Sequence, residues 1–204
     1  MTLFPEISDQ APLHRSFYQQ STLSAAGTLL GKYLCRKWRS SYIVGKIVET
    51  EAYIGEDDPA CHAARGKTRR NAIMYGPPGF TYIYFIYGMY FCLNVVTESE
   101  GFPAAVLIRA VEPIDGIEQM KKFRKIEDVQ KLSNGPGKLC QAFHLDRKQN
   151  GMDLCGMELF ITHGEEIAGT SIVRSKRVGI KVGVDHLWRF FIKNNSYVSK
   201  GRKT

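Results

Sequence analysis

Lys46-Ile47-Val48-Glu49-Thr50-Glu51-Ala52-Tyr53-Ile54 places two carboxylates two residues apart and a phenol two residues further on. The β-branched content and alternation from Tyr42 to Ile54 predict a strand, in which residues i, i+2 and i+4 share a face. Glu49, Glu51 and Tyr53 then lie on one face, with Val48, Thr50, Ala52 and Ile54 on the other. Carboxylates on an apolar strand are costly unless exposed or used. One against aromatic walls has its pKa raised toward the range of a general base. On this segment alone, a solvated acidic face accounts for the pattern as well as a working site does.

His62 follows Tyr53 by nine residues and is preceded by Cys61. A lone histidine is usually structural, and no partner stands at metal-ligand spacing. Zinc-dependent deamination of bases needs H-x-E and P-C-x-x-C, and neither motif is present. The five cysteines are widely spaced with no C-x-x-C pair, which fits reduced thiols in a cytoplasmic protein. No metal and no cofactor is expected. Glu6 and the lack of a long apolar run argue against a secretory signal.

Phe80 to Asn94 holds seven of the 23 aromatics and no charge. Tyr87-Gly88 lies near its middle, where glycine supplies the positive φ of a tight turn. The reading is two strands joined there, with Tyr87 at the hairpin tip, flanked by Met89 and Tyr90. An aromatic wedge on a basic protein suggests insertion between stacked bases. A buried hairpin and a membrane span are the competing readings. The uncharged run from Ala72 to Thr97 is broken by Gly76-Pro77-Pro78-Gly79, leaving about seventeen residues, short for a span. No membrane association is expected.

The net charge is +8, and nine Lys/Arg against one acid, Asp185, lie between Arg174 and Thr204. Such a segment is either a solvated basic tail or a phosphate-binding surface. Arg174, Lys176, Arg177 and Lys181 are its phosphate candidates. Gly135-Pro136-Gly137-Lys138 opens a helix with free N–H groups and a cation, which is either a phosphate contact, making Lys138 another candidate, or simply a well-made helix start.

These residues need elements to hold them. Ser21-Thr22 caps a helix with Leu23, Ala26 and Leu30 on one face, ending near Gly31. Pro59 to Gly79 reads as a long functional loop, and Ala104 to Val111 as a buried strand ending at Arg109. A helix after Pro113 turns Ile117 and Met120 inward. The helix opened at Gly135-Pro136 buries Leu139, Ala142 and Phe143. Asn150-Gly151 signals a hairpin turn, and Glu158–Thr162 and Arg177–Val184 complete the strands. Mixed elements without a β-α-β rhythm predict an α+β fold. The length of 204 residues, with no repeat or linker, predicts one domain over 1–204.

Glu49-Thr50-Glu51-Ala52-Tyr53, His62, Arg70-Asn71 and the block from Tyr82 to Asn94 together resemble the alkyladenine (3-methyladenine) DNA glycosylase family. The resemblance continues in order through Leu107–Pro113, Gly135–Ala142, Arg177–Ile180 and Trp188–Phe190, covering about Phe17 to Ser199. Leu187 departs where a proline commonly precedes Trp-Arg-Phe, and Gly27 departs where a basic residue is common; both read as scaffold positions. With no long N-terminal extension, the chain looks like a compact core of bacterial type, ordered over about 10–199.

The resemblance implies a curved, largely antiparallel sheet with surrounding helices and a protruding aromatic hairpin. It implies base-excision repair: a damaged, alkylated or deaminated purine is flipped out of double-stranded DNA and its bond to deoxyribose hydrolysed. By position, Glu51 would act as general base and Arg109 would orient it, the water or a phosphate. Tyr53 would stack on one side of the extruded base, with His62 and Tyr84 on the other, and Asn94 would crowd the purine 2-position. Tyr87 would fill the gap in the duplex, and Arg70 would contact phosphate. No Schiff-base nucleophile is evident, so a monofunctional, monomeric enzyme is expected. The alternative is a silent nucleic-acid-binding module using the hairpin for stacking, which would gain nothing from Glu51.

Overall fold

The computed structural model describes residues 10–199. Two long strands form its spine. β2, Ser41–Ile54, lies antiparallel to β5, Ala104–Asp115. β2 changes neighbour on its other edge: residues 41–46 pair with β1, Tyr33–Trp38, and residues 49–51 with β8, Arg189–Ile192. β3, Thr81–Ile86, and β4, Tyr90–Val96, extend the sheet beyond β5. β6, Leu159–Thr162, closes the β1 side, and β7, Ile172–Ser175, pairs with β8. All pairings are antiparallel, giving one curled eight-stranded sheet with a few helices, an α+β fold.

Four α-helices accompany this sheet among the described residues: α1, Arg15–Tyr18; α2, Thr22–Thr28; α3, Ile117–Arg124; and α4, Pro136–Ala142. Ser21 caps α2 through its side chain, and Ala25 and Ala26 are buried against the sheet. The chain leaves α2 through Gly31 at φ +83°, where a Cβ would meet the Glu165 carbonyl oxygen at 2.2 Å. On α4, Leu139, Cys140 and Ala142 join Phe143 in a core with Ile47, Val111 and Leu93. Each large apolar side chain removed from water there contributes about 1.5–3 kcal/mol.

Three local expectations need correction. The strand carrying Arg109 runs on to Asp115, so Arg109 stands in its interior. Pro113 fits in that strand because the β2–β5 register shifts opposite it, between Val44 and Gly45. Arg177–Val184 is irregular, and the neighbouring strands are Ile172–Ser175 and Arg189–Ile192. Asn150-Gly151 does not turn a hairpin. Its segment runs beside β3 instead, with Asn150 Oδ1 accepting from the Ile83 N–H at 2.8 Å and the Gly151 N–H donating to the Thr81 carbonyl at 2.8 Å. That segment covers a strand edge that would otherwise be open.

Candidate active site

Two β-bulges bring the carboxylates and Arg109 together. Ile47 pairs with Val111 and Glu49 with Ala110, so Val48 has no direct partner. Thr50 pairs with Ile108, which leaves Arg109 without one. A bulge re-aims the side chain it carries. Arg109 reaches back across β2, donating from Nε to Glu49 Oε1 at 2.9 Å and from Nη1 to Glu51 Oε2 at 3.2 Å. Alternation places Glu49 and Glu51 on one face, and both are 0% exposed.

Glu49 is fully committed. Its Oε1 accepts from Arg109, from Arg189 Nε at 2.6 Å and from Ser199 Oγ at 2.9 Å, and its Oε2 from the Ser199 N–H at 2.7 Å. Glu51 sits behind the wall of a cavity of about 490 Å³, and each of its three partners lines that cavity. Tyr53 Oη donates to Oε2 at 2.9 Å, Arg109 donates to the same oxygen, and the Val178 N–H donates to Oε1 at 2.6 Å. Burial raises the Glu51 carboxyl above the usual carboxylate range, against the pull of Arg109, Val178 and Tyr53. Tyr53 is raised well above an ordinary phenol, first by burial and then by Glu51. It therefore stays protonated as a donor. For Arg109, burial opposes the charge, but Glu51 and Glu49 outweigh it and the guanidinium is raised further.

The hairpin supplies the facing wall. Tyr82 pairs with Asn94, Tyr84 with Cys92 and Ile86 with Tyr90, so these six share a face, and all six line the cavity. The opposite face turns Ile83 and Leu93 into the core. The turn carries Tyr87 at φ +54° and Gly88 at φ +68°. Positive φ at both central residues matches the twist of paired strands. Here the non-glycine Tyr87 also adopts it, an uncommon conformation. Tyr87 is 72% exposed yet also lines the cavity, while Met89 stands out at 62%.

His62 is set against this wall, its ring 4.4 Å from that of Tyr84 and its Nδ1 2.7 Å from Tyr82 Oη. Burial, then Arg70, lowers its pKa, so it is a neutral ring near pH 7. Buried Asn71 positions it by donating from Nδ2 to the His62 carbonyl at 2.9 Å. Asn94 donates from Nδ2 to the Tyr82 carbonyl at 3.0 Å.

The cationic candidates divide. Lys138 lines the cavity, bonded to Asn134 Oδ1 at 2.7 Å, and burial with Arg124 and Lys131 lowers its pKa. Arg70 lies over the Tyr84 ring, with its guanidinium carbon 5.6 Å from the centroid. Arg174, Lys176 and Lys181 are exposed, and Lys176 pairs with Asp185 at 3.4 Å. Arg177 is not on the surface where the sequence reading put it. Its side chain is 0% exposed because Asp58, also 0% exposed, holds it at 2.5 Å. Lys200, Arg202 and Lys203 of the basic tail lie outside the described residues. Sequence reasoning missed Asp58, Arg189, Val178 and Ser199 as site residues. Val178 and Arg189 lie inside the Arg177–Ile180 and Trp188–Phe190 blocks of the resemblance, which assigned them no role, while Asp58 and Ser199 stand in no local pattern.

A buried, hydrogen-bonded carboxylate thus lies behind an aromatic cavity, with an exposed tyrosine at the rim of a basic protein. The chain matches the family model for methylpurine-DNA glycosylase over residues 16–196. It is 51% identical over 189 residues to a relative from Carboxydothermus hydrogenoformans, covering 92% of this chain and 98% of that one. It is also 51% identical to one from Prosthecochloris aestuarii, covering 91% and 90%, and 50% identical to one from Methanocella arvoryzae, covering 92% and 96%. All three carry the provisional name 3-methyladenine DNA glycosylase. The chain belongs to the methylpurine-DNA glycosylase family. It is a DNA N-glycosylase, an enzyme of base-excision repair. Among the described residues no helix is long and apolar enough to cross a membrane.

A general base at Glu51 would set the acid limb of the reaction through its raised pKa. Excision would then be lost as pH falls through the folded-state pKa, where the carboxylate takes up a proton. A single-turnover pH profile should show that limb above the value of an exposed glutamate, about 4.3. A limb at or below that value counts against Glu51.

Proposed function

We propose that this enzyme removes alkylated or deaminated purines from duplex DNA by monofunctional hydrolysis, working as a monomeric catalytic domain. The supporting observation is the Glu51 carboxylate, held by Tyr53, Arg109 and Val178 immediately behind the aromatic cavity. The extruded purine stacks on Tyr53 on one face and on His62 and Tyr84 on the other. Stacking is worth about 1–3 kcal/mol per base and tolerates different purines. Neutral His62 accepts a base without adding charge repulsion to a cationic methylpurine. Asn94, fixed by the Tyr82 carbonyl, crowds the position where guanine carries its amino group.

Glu51 takes a proton from the attacking water as the bond to the anomeric carbon breaks, and its charge stabilises the oxocarbenium-like sugar. Arg109 prevents the two buried carboxylates from repelling each other into protonation. Tyr87, at the cavity rim, occupies the space left in the duplex, with Met89 and Tyr90 beside it. The test is to incubate the protein with duplexes that each carry one lesion (3-methyladenine, 7-methylguanine, hypoxanthine or ethenoadenine) and to reveal abasic sites with alkali. Cleavage at none of them overturns the proposal.

Arg70, Arg174, Lys176, Lys181 and Lys138 contact the DNA backbone in this proposal. Reversing the charge at Arg174 and Lys181 together should weaken duplex binding and flatten its salt dependence by about 0.9 per lost contact. An unchanged slope in a salt titration removes them from the interface.

A further inference from the structure

Among the described residues, Arg177 is the most heavily bonded cation outside the Glu49–Arg109 cluster. Its Nη1 donates to Asp58 Oδ2 at 2.5 Å and to the Ala52 carbonyl at 2.9 Å; its Nη2 donates to Asp58 Oδ1 at 2.7 Å and to the Gly183 carbonyl at 3.3 Å. The guanidinium is layered between two rings, 4.7 Å from the Tyr53 centroid and 5.0 Å from that of Trp188. A buried fork that stacks and pairs in this way is specific to arginine.

These bonds tie together three segments that reach the cavity by separate routes. The first is the end of β2, where Ala52 lies between Glu51 and Tyr53. The second is the loop bearing Ala60 and His62, which Asp58 organises by accepting from the Ala60 N–H at 3.0 Å and, through its carbonyl, from the Cys61 N–H at 2.9 Å. The third is the irregular stretch after β7, whose Val178 follows Arg177 and donates to Glu51. One ion pair thus stands behind the Tyr53 ring, at the root of the His62 loop and one residue from the Glu51 anchor.

We infer that the Arg177–Asp58 pair is a positioning element of the active site, setting the width of the base slot between Tyr53 and His62 and the alignment of Glu51. Arg177 acts through Tyr53 and Val178 and touches neither base nor phosphate. The inference rests on the glycosylase mechanism proposed above. Geometry errors near an angstrom at a reacting centre cost about a hundredfold in rate, so a cavity pinned at one hidden point is sensitive there.

The experiment compares the parent enzyme with Arg177→Lys and Asp58→Asn. It measures single-turnover release of methylpurines from methylated duplex DNA, affinity for a duplex carrying a tetrahydrofuran abasic-site analogue, and the pH profile of excision. Arg177→Lys keeps the charge but cannot bridge Asp58, stack twice and reach the Ala52 carbonyl together. Excision should fall about tenfold to a hundredfold, with affinity for the abasic analogue little changed. The acid limb should move to higher pH as the Val178 N–H loses its alignment on Glu51. Asp58→Asn, nearly isosteric, should give the same pattern and carries the test if the lysine variant does not fold. Parent-like excision with an unmoved acid limb overturns the inference, as does a proportional loss of excision and abasic-analogue affinity. An inactive parent overturns the glycosylase mechanism itself.

Discussion

Glu51→Gln should bind lesion-bearing duplex about as tightly as the parent enzyme while excising bases about 10²–10⁴ times more slowly, the range attributable to one acid–base group. Glutamine preserves the shape and still accepts from Tyr53, Arg109 or the Val178 N–H, so the cavity should persist. It cannot take a proton, and it presents no negative charge to an oxocarbenium-like sugar. Stability should not fall in parallel. A buried carboxyl whose folded-state pKa is raised binds its proton more tightly when folded, so its ionisation opposes folding as pH rises through that pKa. Glutamine removes that penalty. Near-normal single-turnover rates for Glu51→Gln would reject the assigned base, and a matching loss of duplex affinity would point to collapse of the cavity.

Removing Arg109 should injure both activity and folding. Its guanidinium, 7% exposed, is shared between Glu49 and Glu51. Glu49 keeps Arg189 and Ser199, but Glu51 would have only Tyr53 and Val178. Deleting one partner of a buried pair costs about 3–5 kcal/mol. The deficit should also depend on pH, with a definite sign. Without Arg109 the Glu51 pKa rises further above its unfolded value. The folded variant then keeps its proton, and its stability is greatest at low pH and falls as pH rises through the folded-state pKa. Urea melts of Arg109→Ala at pH 5 and pH 7.5 should therefore show the larger deficit, relative to the parent, at pH 7.5. An equal deficit at both would mean that Arg109 serves packing alone. Excision should fall as well, because Glu51 would be protonated at pH values where the parent enzyme works.

Local periodicity made one side of the candidate site legible before any coordinates, because strand alternation alone places Glu49, Glu51 and Tyr53 together. His62, Tyr84 and Asn94 entered only through the resemblance, and it is the hairpin register in the folded chain that gathers Tyr82, Tyr84, Cys92 and Asn94 on one face. The α+β class followed from the mixture of elements, and the helix at Gly135-Pro136 from its proline at the first turn. The turn was legible from Gly88, although Tyr87 shares its positive φ. Periodicity gave no warning of the bulges that leave Arg109 unpaired inside a strand. Those arise where two long strands must stay paired while β2 exchanges β1 for β8 along its other edge.

Charge was the weakest guide. Lys176 and Arg177 are neighbours of the same sign in one basic segment, yet the structure exposes the first and buries the second. The difference lies in Asp58, 119 residues away in the chain, which offers both carboxylate oxygens to Arg177. Ser199 reaches Glu49 across 150 residues for a similar reason. Which face a side chain takes is set by backbone geometry over a few residues, so the amino-acid order by itself determined the shared face of acid and aromatics. Whether a charge is solvated or buried depends on a partner brought near by folding of the whole chain, so only the tertiary structure decided which cations hold the site together and which face the solvent.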